Sequence, residues 1–419
     1  MKILFKNAKI LDLSQETGFI YGDVLVENEV IKQVGNKINT LVDQVIDVEE
    51  NILMPGFINA HAHTPMTFLR GYGSDLSTEE WLEKIIPQEE KFSDEDLYYS
   101  TMLGICESIK AGITTTMECY FNLPEIIKAY DTSGMRGVIG VGFGKPFKKV
   151  TEQNLKKQLE NVKKSKLCTA FAYAHSIYGT KESELEQICL FAKVNNLPVA
   201  IHLAETLLEV GKCTTKNQCT PAEYLEKLGY FDRNCTCFHC VHMDKDDLQI
   251  LADHNVNVVS CPSSNIKLAS GIAPLHAMQN LGLNIGLGTD SVASNNSLDM
   301  FKEMFLSSLL TKVNIGNAKV ITAKNALLFS TIGGAKCANL CNVGQIKQGY
   351  LADIILINTK SLHFQPKTNA LSHLVYSAKS SDVYFTMING KILYQNSKLA
   401  NFVDEKLLLK KANEFLNKI

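Results

Sequence analysis

The segment ILMPGFINAHAH, residues 52–63, joins an apolar run to two histidines that are spaced one residue apart. The apolar part predicts a buried strand, and in a strand the side chains of residues i and i+2 point to the same face. His61 and His63 should therefore leave one strand end in the same direction. Two neutral imidazoles side by side are typical metal ligands, although such a pair also occurs by chance on surface strands. Any further ligands must come from elsewhere in the chain.

Seven more strand patterns follow this one, and helical segments separate them. The eight strand-like runs between residues 52 and 290 are ILMPGFINAHAH, GITTTMECY, RGVIGVGFG, CTAFAYAHS, LPVAIHLAE, NCTCFHCVH, NVNVVSCPSS and LNIGLGTDS. The helical segment TPAEYLEKLG begins with Thr220, Pro221 and Glu223, the pattern of an N-cap, a first-turn proline and a capping-box acid. Repeated strand–helix units predict a parallel sheet, and eight of them predict a (β/α)8 TIM-like barrel. The pattern alone also permits an open, doubly wound sheet.

Both ends of the chain carry short strand patterns instead. Residues 1–54 contain KILFKNAKIL and GDVLVENEVIKQVG, and residues 346–400 contain GYLADIILIN and VYFTMINGKILYQ. We predict that these two regions pair into one small β-sandwich domain beside a barrel domain formed by residues 55–345. In residues 401–419, the amphipathic stretch DEKLLLKKANEFLNK predicts a C-terminal helix.

The composition argues against several classes of function. The 419 residues carry a formal net charge of −2, so the charge balance gives no electrostatic case for binding nucleic acid or an anionic membrane. Lysines interrupt the apolar residues of the N-terminal MKILFKNAKILDL, so it does not read as a signal peptide. No run reaches the ~18 apolar residues of a spanning helix. We expect a cytoplasmic protein whose twelve cysteines are mostly free thiols.

The stretch CTCFHC holds three of those cysteines and one histidine: Cys235, Cys237, His239 and Cys240. One interpretation is a zinc site with thiolate ligands, and the other is a strand with small buried thiols. A second cysteine pair at zinc-finger spacing is missing from the sequence, so we favour the packing interpretation.

Polar residues recur where the predicted barrel strands end. These residues are His61, His63, His175, His202, Glu205, His239, His242 and Asp290. Active sites of (β/α)8 barrels lie at the C-terminal ends of the strands, so we expect these side chains to converge. Imidazole and carboxylate ligands suit Zn²⁺ or Fe²⁺, and such an ion lowers the pKa of water toward ~7. Glu205 is the candidate acid that protonates a substrate.

Four stretches carry a family resemblance: PGFINAHAHTPMTFLRG, IHLAET, SNIKLASGIAP and GTDSVASNNSLDMF. They resemble the amidohydrolase superfamily, and within it the 5-methylthioadenosine/S-adenosylhomocysteine deaminases, over nearly the whole chain. The resemblance implies a β-sandwich built from both termini and a barrel that carries one divalent metal ion. We expect Zn²⁺, with Fe²⁺ as the alternative, and a homo-oligomer that acts on a small purine nucleoside.

The resemblance also implies roles for individual residues. The metal ligands would be His61, His63, His202 and Asp290. His239 would orient the attacking water, Glu205 would carry protons to the purine N1, and Asp290 would accept the proton of the hydroxide. Glu89 would bind the ribose hydroxyls and His175 the purine ring. His175 also occupies the position at which binuclear relatives carry a carboxylated lysine, which argues for one metal ion.

One position departs from the family pattern. Some members carry an arginine after the third barrel strand that meets a charged group on the 5′ side of the substrate, and our register places Val141 there. Arg136 comes too early to replace it. We therefore expect an apolar wall that favours a small uncharged 5′ group, unless a lysine such as Lys145 takes the place of the arginine.

Two other functions fit the same motifs. The first is a deaminase or chlorohydrolase of another heterocycle, such as guanine, a pterin or a triazine. The second is a non-catalytic scaffold with the amidohydrolase fold, which is disfavoured because the four expected ligands and Glu205 are all present.

Overall fold

The computed structural model describes residues 1–143 and 151–419, and the elements named below lie within those ranges. In chain order the strands are β1 (Lys2–Leu11), β2 (Phe19–Glu27), β3 (Val30–Gly35), β4 (Gln44–Asp47), β5 (Ile52–Pro55), β6 (Phe57–Ala62), β7 (Ile113–Glu118), β8 (Arg136–Phe143), β9 (Cys168–Ser176), β10 (Val199–Leu203), β11 (Cys235–His239), β12 (Asn257–Ser260), β13 (Asn284–Leu287), β14 (Ile354–Ile357), β15 (Val383–Ile388), β16 (Lys391–Gln395) and β17 (Lys398–Leu399).

The α-helices are α1 (Thr78–Glu89), α2 (Asp94–Lys110), α3 (Leu123–Ser133), α4 (Glu152–Lys164), α5 (Glu182–Asn195), α6 (Leu207–Asn217), α7 (Pro221–Lys227), α8 (Lys245–Asp253), α9 (Pro262–Lys267), α10 (Leu275–Asn280), α11 (Val292–Asn295), α12 (Met300–Ile315), α13 (Ala323–Leu328), α14 (Gly334–Cys337), α15 (Ala370–Tyr376) and α16 (Glu405–Phe415). No helix in the described ranges combines the length and the apolar character that a membrane crossing requires.

Strands β6 to β13 form the barrel. Each pairs in parallel with the next strand along the chain, which gives an eight-stranded sheet in sequence order. Short parallel pairing between Ala62 and Asp290 joins the two ends of this sheet, and the Asp290 N–H donates to the His61 carbonyl at 2.9 Å. The predicted (β/α)8 barrel is therefore confirmed.

The seam that closes the barrel is held by side chains as well. The Asn59 amide donates to the Thr289 hydroxyl at 2.7 Å, and the Thr289 N–H donates back to the Asn59 side-chain oxygen at 2.9 Å. Gly288 allows this close approach, because a Cβ at that position would lie 2.7 Å from the His61 Cβ. The seam thus brings the end of the last strand against the end of the first.

Apolar side chains fill the barrel interior. Among them are Ile58, Met117, Val138, Phe171, Phe238, Val259 and Cys261. A filled interior leaves only the strand ends available for a polar site. Cys261 lies in this cluster and packs against these apolar side chains. Cys235 and Cys237 face the other way, into the core between the barrel and its helices.

The two ends of the chain share a nine-stranded sheet. Its strand order is β17-β16-β15-β14-β5-β1-β2-β3, and β4 pairs in parallel with residues 3–6 of β1, on the edge where β5 pairs with Lys9 and Ile10. The sheet curves over itself, because Phe5 on β1 and Phe385 on β15 are not on neighbouring strands yet make an edge-to-face contact at 5.5 Å. This is the sandwich predicted from both termini. The domain boundaries given above, 1–54 with 346–400 against 55–345, stay a proposal.

Two features attach the ends of the chain to the barrel. Arg136 on β8 is buried and forms a bidentate pair with Asp353, with distances of 2.8 and 3.0 Å. The C-terminal helix α16 packs through Phe415 against Phe92, with ring centroids 4.4 Å apart. Arg136 therefore binds the terminal sheet, in agreement with the expectation that it does not bind the substrate.

Candidate active site

The residues predicted to form the site lie at one end of the barrel. His61 is on β6, His175 on β9, His202 on β10 and His239 on β11, while His63, Glu205 and Asp290 follow strands β6, β10 and β13 directly. Glu89 is the last residue of α1. The first seven come from the C-terminal ends of five different strands, so their convergence depends on closure of the barrel.

Three imidazoles and one carboxylate approach each other most closely. The Nε2 atoms of His61 and His63 each lie 3.3 Å from Oδ1 of Asp290. The Nε2 atom of His202 lies 3.2 Å from Nε2 of His61. Two serines, Ser264 and Ser294, donate to the other Asp290 oxygen, Oδ2, at 2.5 and 3.0 Å. Oδ1 is thus directed at the imidazoles.

Backbone carbonyls orient two of these imidazoles. The Cys119 carbonyl lies 2.5 Å from Nδ1 of His63, and the His175 carbonyl lies 2.6 Å from Nδ1 of His202. A carbonyl only accepts, so both Nδ1 atoms carry a proton, and the Nε2 atom of the neutral His202 ring presents a lone pair. Such outer partners are typical of metal-binding histidines.

Burial keeps two of the rings neutral. It lowers the pKa of His61 to about 3 and the pKa of His202 well below its usual range. Burial acts to raise the pKa of Asp290, but hydrogen bonds from His61 and His63 outweigh it, and this pKa lies well below its ordinary value. The Nε2 atom of His202 and the Oδ1 atom of Asp290 lie 3.2 and 3.3 Å from Nε2 of His61, so potential ligand atoms from three residues meet at one point. The donor set therefore fits a divalent metal ion.

The candidate ligand atoms fall into two overlapping groups. His61, His63 and Asp290 form one, and His61, His202 and His239 form the other, with ligand atoms within 4.8 Å of one another in each group. The His239 Nδ1 atom donates to the Asn265 side-chain oxygen at 2.8 Å, and its Nε2 atom is the one that faces Glu205. Geometry alone thus makes His239 a possible fifth ligand. Neither group contains a cysteine, so within the described residues the CTCFHC stretch shows no convergent thiolate site.

Glu205 faces His239 across the site. Its Oε2 atom lies 4.0 Å from Nε2 of His239, and the residue is only 7% exposed. Burial raises the pKa of the Glu205 carboxyl above its ordinary value. A buried carboxyl with a raised pKa beside converging metal-type ligands is suited to proton transfer near neutral pH.

A cavity of about 150 Å³ opens beside these residues. His175, Glu205, His239, Asp290 and Glu89 contribute its polar lining. Its apolar lining includes Met66, Trp81, Leu82, Ile85, Ile86 and Leu268, of which four come from α1. The position of α1 as a wall of the cavity was not predicted, although the apolar positions of TEEWLEKIIPQE follow a helical period and could have indicated it.

Tyr120 also lines the cavity and was not predicted. It follows β7, and its hydroxyl hydrogen-bonds to the Glu89 carboxyl. Burial raises the pKa of Glu89 to about 7 despite this bond and the nearby His63. Glu89 is thus placed to accept hydrogen bonds from a ligand bound in the cavity.

Val141 does not line the cavity, so that prediction is wrong. The residue is fully buried in the core between the barrel and its helices. The apolar wall comes from α1 instead, and no lysine or arginine is found among the described residues that line the cavity. Lys145, the suggested replacement for the arginine, lies outside the described residues, as do Lys148 and Lys149.

Three residues at strand ends have a left-handed backbone, which changes the direction of side chains at the site. Ala204, His239 and Asp290 have φ angles of +49°, +69° and +57°. Residues with a Cβ rarely adopt such angles, and they concentrate at functional sites. His239 shows the effect: simple alternation along β11 would point it toward the helices like Cys237, yet its ring lines the cavity.

Comparisons with known proteins agree with this geometry. The sequence profile described as "Amidohydrolase family" matches residues 52–393. A 5-methylthioadenosine/S-adenosylhomocysteine deaminase from Syntrophomonas wolfei is 39% identical over 431 residues, which cover 100% of this chain and 99% of the relative. A 5′-deoxyadenosine deaminase from Methanococcus vannielii is 38% identical, over 92% of this chain and 94% of the relative. The crystal structure of an adenosine deaminase from Xanthomonas campestris with bound zinc superposes with a TM-score of 0.94 at 28% identity, over 99% of this chain and 98% of that one.

Proposed function

The chain belongs to the amidohydrolase family, and from this premise we propose that it is a metal-dependent deaminase of adenine nucleosides. Water replaces the 6-amino group of the adenine ring, and the products are ammonia and the corresponding inosine analogue. The observation that supports this most directly is the arrangement of Glu205 and His239 across a cavity that also exposes His63, His202 and Asp290.

The proposed ligands of one divalent ion are His61, His63, His202 and Asp290. Their converging Nε2 and Oδ1 atoms and the neutral state of His61 and His202 support this set. When bound, such an ion would lower the pKa of a water molecule, so that hydroxide is available near neutral pH. Zn²⁺ is the preferred candidate because imidazole and carboxylate ligands suit it, with Fe²⁺ as the alternative.

The chain's own residues move the protons. Glu205 protonates N1 of the adenine ring as hydroxide adds to C6, which forms a tetrahedral intermediate on the substrate. Asp290 accepts the proton of the hydroxide and passes it on to the leaving amino group, so that ammonia departs. His239 holds the attacking water in place, and its bond to Asn265 fixes the orientation of its ring.

Glu89 and His175 are the proposed contacts to the rest of the nucleoside. Glu89 offers two carboxylate oxygens to the ribose hydroxyls, and His175 lines the cavity where the purine ring would lie. Burial lowers the pKa of His175 to about 3, so it meets the base as a neutral ring.

The experiment that tests the function is a screen for ammonia release. The panel contains 5-methylthioadenosine, 5′-deoxyadenosine, adenosine and S-adenosylhomocysteine, together with guanine, a pterin and a chlorinated triazine scored for chloride. Turnover of the adenine nucleosides supports the proposal. Turnover of guanine, the pterin or the triazine alone would favour the alternative function, a deaminase or chlorohydrolase of another heterocycle. A metal-loaded protein that turns over none of the compounds would fit the scaffold alternative.

Within this panel we predict a preference for uncharged 5′ groups. The described cavity wall offers apolar side chains from α1 and no cation to meet the carboxylate of S-adenosylhomocysteine. A missing charged hydrogen bond corresponds to about 1.5–3 kcal/mol. We therefore expect kcat/KM for 5-methylthioadenosine, 5′-deoxyadenosine or adenosine to exceed that for S-adenosylhomocysteine by about tenfold to a hundredfold. Equal or better use of S-adenosylhomocysteine would contradict this account of the tail pocket.

A second prediction concerns His239. We expect His239→Ala to keep its metal while kcat falls by ~10²-fold or more, because the variant loses the group that holds the attacking water. Elemental analysis and initial rates on the same purified sample measure both effects. Loss of the metal would instead assign His239 as a ligand, an alternative that its distance to His61 and His202 leaves open.

A further inference from the structure

Two adjacent helices begin with the same Thr-x-x-Glu pattern but use the glutamate differently. In α7, Thr220 accepts from the Glu223 N–H at 3.2 Å, and the Glu223 carboxylate accepts from the Thr220 N–H at 2.8 Å. This is the ordinary reciprocal capping box. In α6, Thr206 accepts from the Glu209 N–H at 3.2 Å, as expected. The Glu209 carboxylate, however, binds residues further back along the chain.

Both Glu209 oxygens are bound to the turn that follows β10. Oε1 accepts from the Ala204 N–H at 3.1 Å, and Oε2 accepts from the Glu205 N–H at 2.9 Å. The carboxylate thus holds two consecutive peptide units. The first bound N–H belongs to Ala204, whose φ is +49°, and the second belongs to Glu205 itself.

Glu209 is an unusual choice for stability alone. It is 3% exposed, and burial raises the pKa of its carboxyl to about 7. A charged carboxylate removed from water costs folding free energy unless its partners compensate for it, and an apolar residue would avoid the cost. Its retention in the interior therefore points to a task in the turn that it binds.

We propose that Glu209 is a positioning residue, which fixes the left-handed turn at Ala204 and thereby the direction from which Glu205 enters the cavity. This inference rests on the proposed function, because it assigns the proton transfer to Glu205. Small displacements of a proton-transfer group reduce the rate strongly, whereas substrate contacts elsewhere in the cavity are unaffected. Glu209 should therefore act on kcat rather than on KM.

Other strand-end turns are held in the same way. The Glu118 carboxylate accepts from the Thr64 N–H, with distances of 3.0 and 3.2 Å to its two oxygens, just after His63. The Glu303 carboxylate accepts from the Ser263 N–H at 3.0 Å and from the Asn295 amide at 2.8 Å. Buried carboxylates thus hold turns behind three parts of the site.

The test compares Glu209→Gln with Glu223→Gln, the matched variant at the same helix position of α7. Kinetics use 5-methylthioadenosine, and metal content and melting temperature are measured on the same samples. Glutamine places an N–H against one of the two backbone N–H groups, so one bond is lost. We expect Glu209→Gln to lower kcat by about tenfold to a hundredfold with KM and metal content unchanged, and Glu223→Gln to keep wild-type kcat.

A double-mutant cycle separates positioning from a general structural role. If Glu209 acts through Glu205, the double variant Glu205→Gln/Glu209→Gln should be no slower than Glu205→Gln alone. An added loss as large as that of Glu209→Gln by itself would overturn the inference, and so would wild-type kcat in folded Glu209→Gln. If Glu209→Gln does not fold, Glu209→Asp keeps the charge but cannot reach both N–H groups, and the same criteria apply to it. Near-wild-type activity of Glu205→Gln would instead overturn the proposed function, and the positioning role with it.

Discussion

Replacing Glu205 by glutamine should lower kcat by ~10²- to 10⁴-fold or more while the metal stays bound. Glutamine has nearly the same shape as glutamate, but its amide does not take up and return a proton at neutral pH. Glu205 is buried, lies 4.0 Å from His239, and shares the cavity with the converging ligand atoms. The other two carboxyls that line the described cavity are bound elsewhere: Asp290 accepts from Ser264 and Ser294, and Glu89 is hydrogen-bonded to Tyr120.

Initial rates of ammonia release and elemental analysis of the same preparation measure this prediction. Glu223→Gln serves as the control, because Glu223 caps α7 and does not line the cavity. A Glu205→Gln protein that turns over at close to the wild-type rate would remove Glu205 from the mechanism. Loss of the metal in this variant would instead make Glu205 part of the metal site.

The second large effect is expected at the metal ligands. His61→Ala and His202→Ala should each reduce the bound metal from about one ion per chain to background, and ammonia release should be lost with it. His61 belongs to both groups of candidate ligands, so its removal disrupts either arrangement. His202 belongs only to the second group. Loss of the metal in His202→Ala as well as in His61→Ala would show that the ion takes ligands from both groups.

A nearby histidine outside the site provides the control. His242 donates from Nε2 to the Ser270 carbonyl at 2.7 Å and is absent from both ligand groups, so His242→Ala should keep metal and activity. Elemental analysis after removal of free metal reports the stoichiometry. Two ions per chain, or active protein without metal, would disprove the proposal of one ion.

The fold was largely predictable, because it depends on patterns that are local in sequence. Strand patterns alternating with helical ones indicated the barrel, and the choice against an open sheet came only with the pairing of Ala62 and Asp290. The curved sheet was predictable from strand patterns at both ends. The contacts that join this sheet to the barrel, such as the pair of Arg136 and Asp353, were not predictable, because they link residues far apart in sequence.

The candidate site was predictable where side-chain direction follows from strand alternation. His202 points into the site as alternation along β10 requires, whereas the pairing of β6 has a register irregularity between Asn59 and Ala62, beside His61. His239 was expected there by resemblance to the family, since alternation along β11 predicts the opposite direction and a φ of +69° reverses it. Val141 was assigned to the substrate from register alone, and the structure buries it among apolar side chains. Cavity walls depend on how helices dock, which periodicity does not determine.

The seam of the barrel has a consequence for biosynthesis. The bonds between Asn59 and Thr289 span 230 residues, and they join the first barrel strand to the end of the last. Since a ribosome delivers the chain from its N-terminus, His61 on β6 and His63 just after it emerge long before their carboxylate partner, Asp290. A nascent chain that stops short of Thr289 contains the three imidazoles of the proposed ligand set, but it lacks both the bonds of the seam and the Asp290 carboxylate. Closing such a long loop carries a large entropy cost that only the completed sheet offsets. With the proposed ligand set, we therefore expect full-strength metal binding only after Asp290 has been synthesised and the barrel has closed.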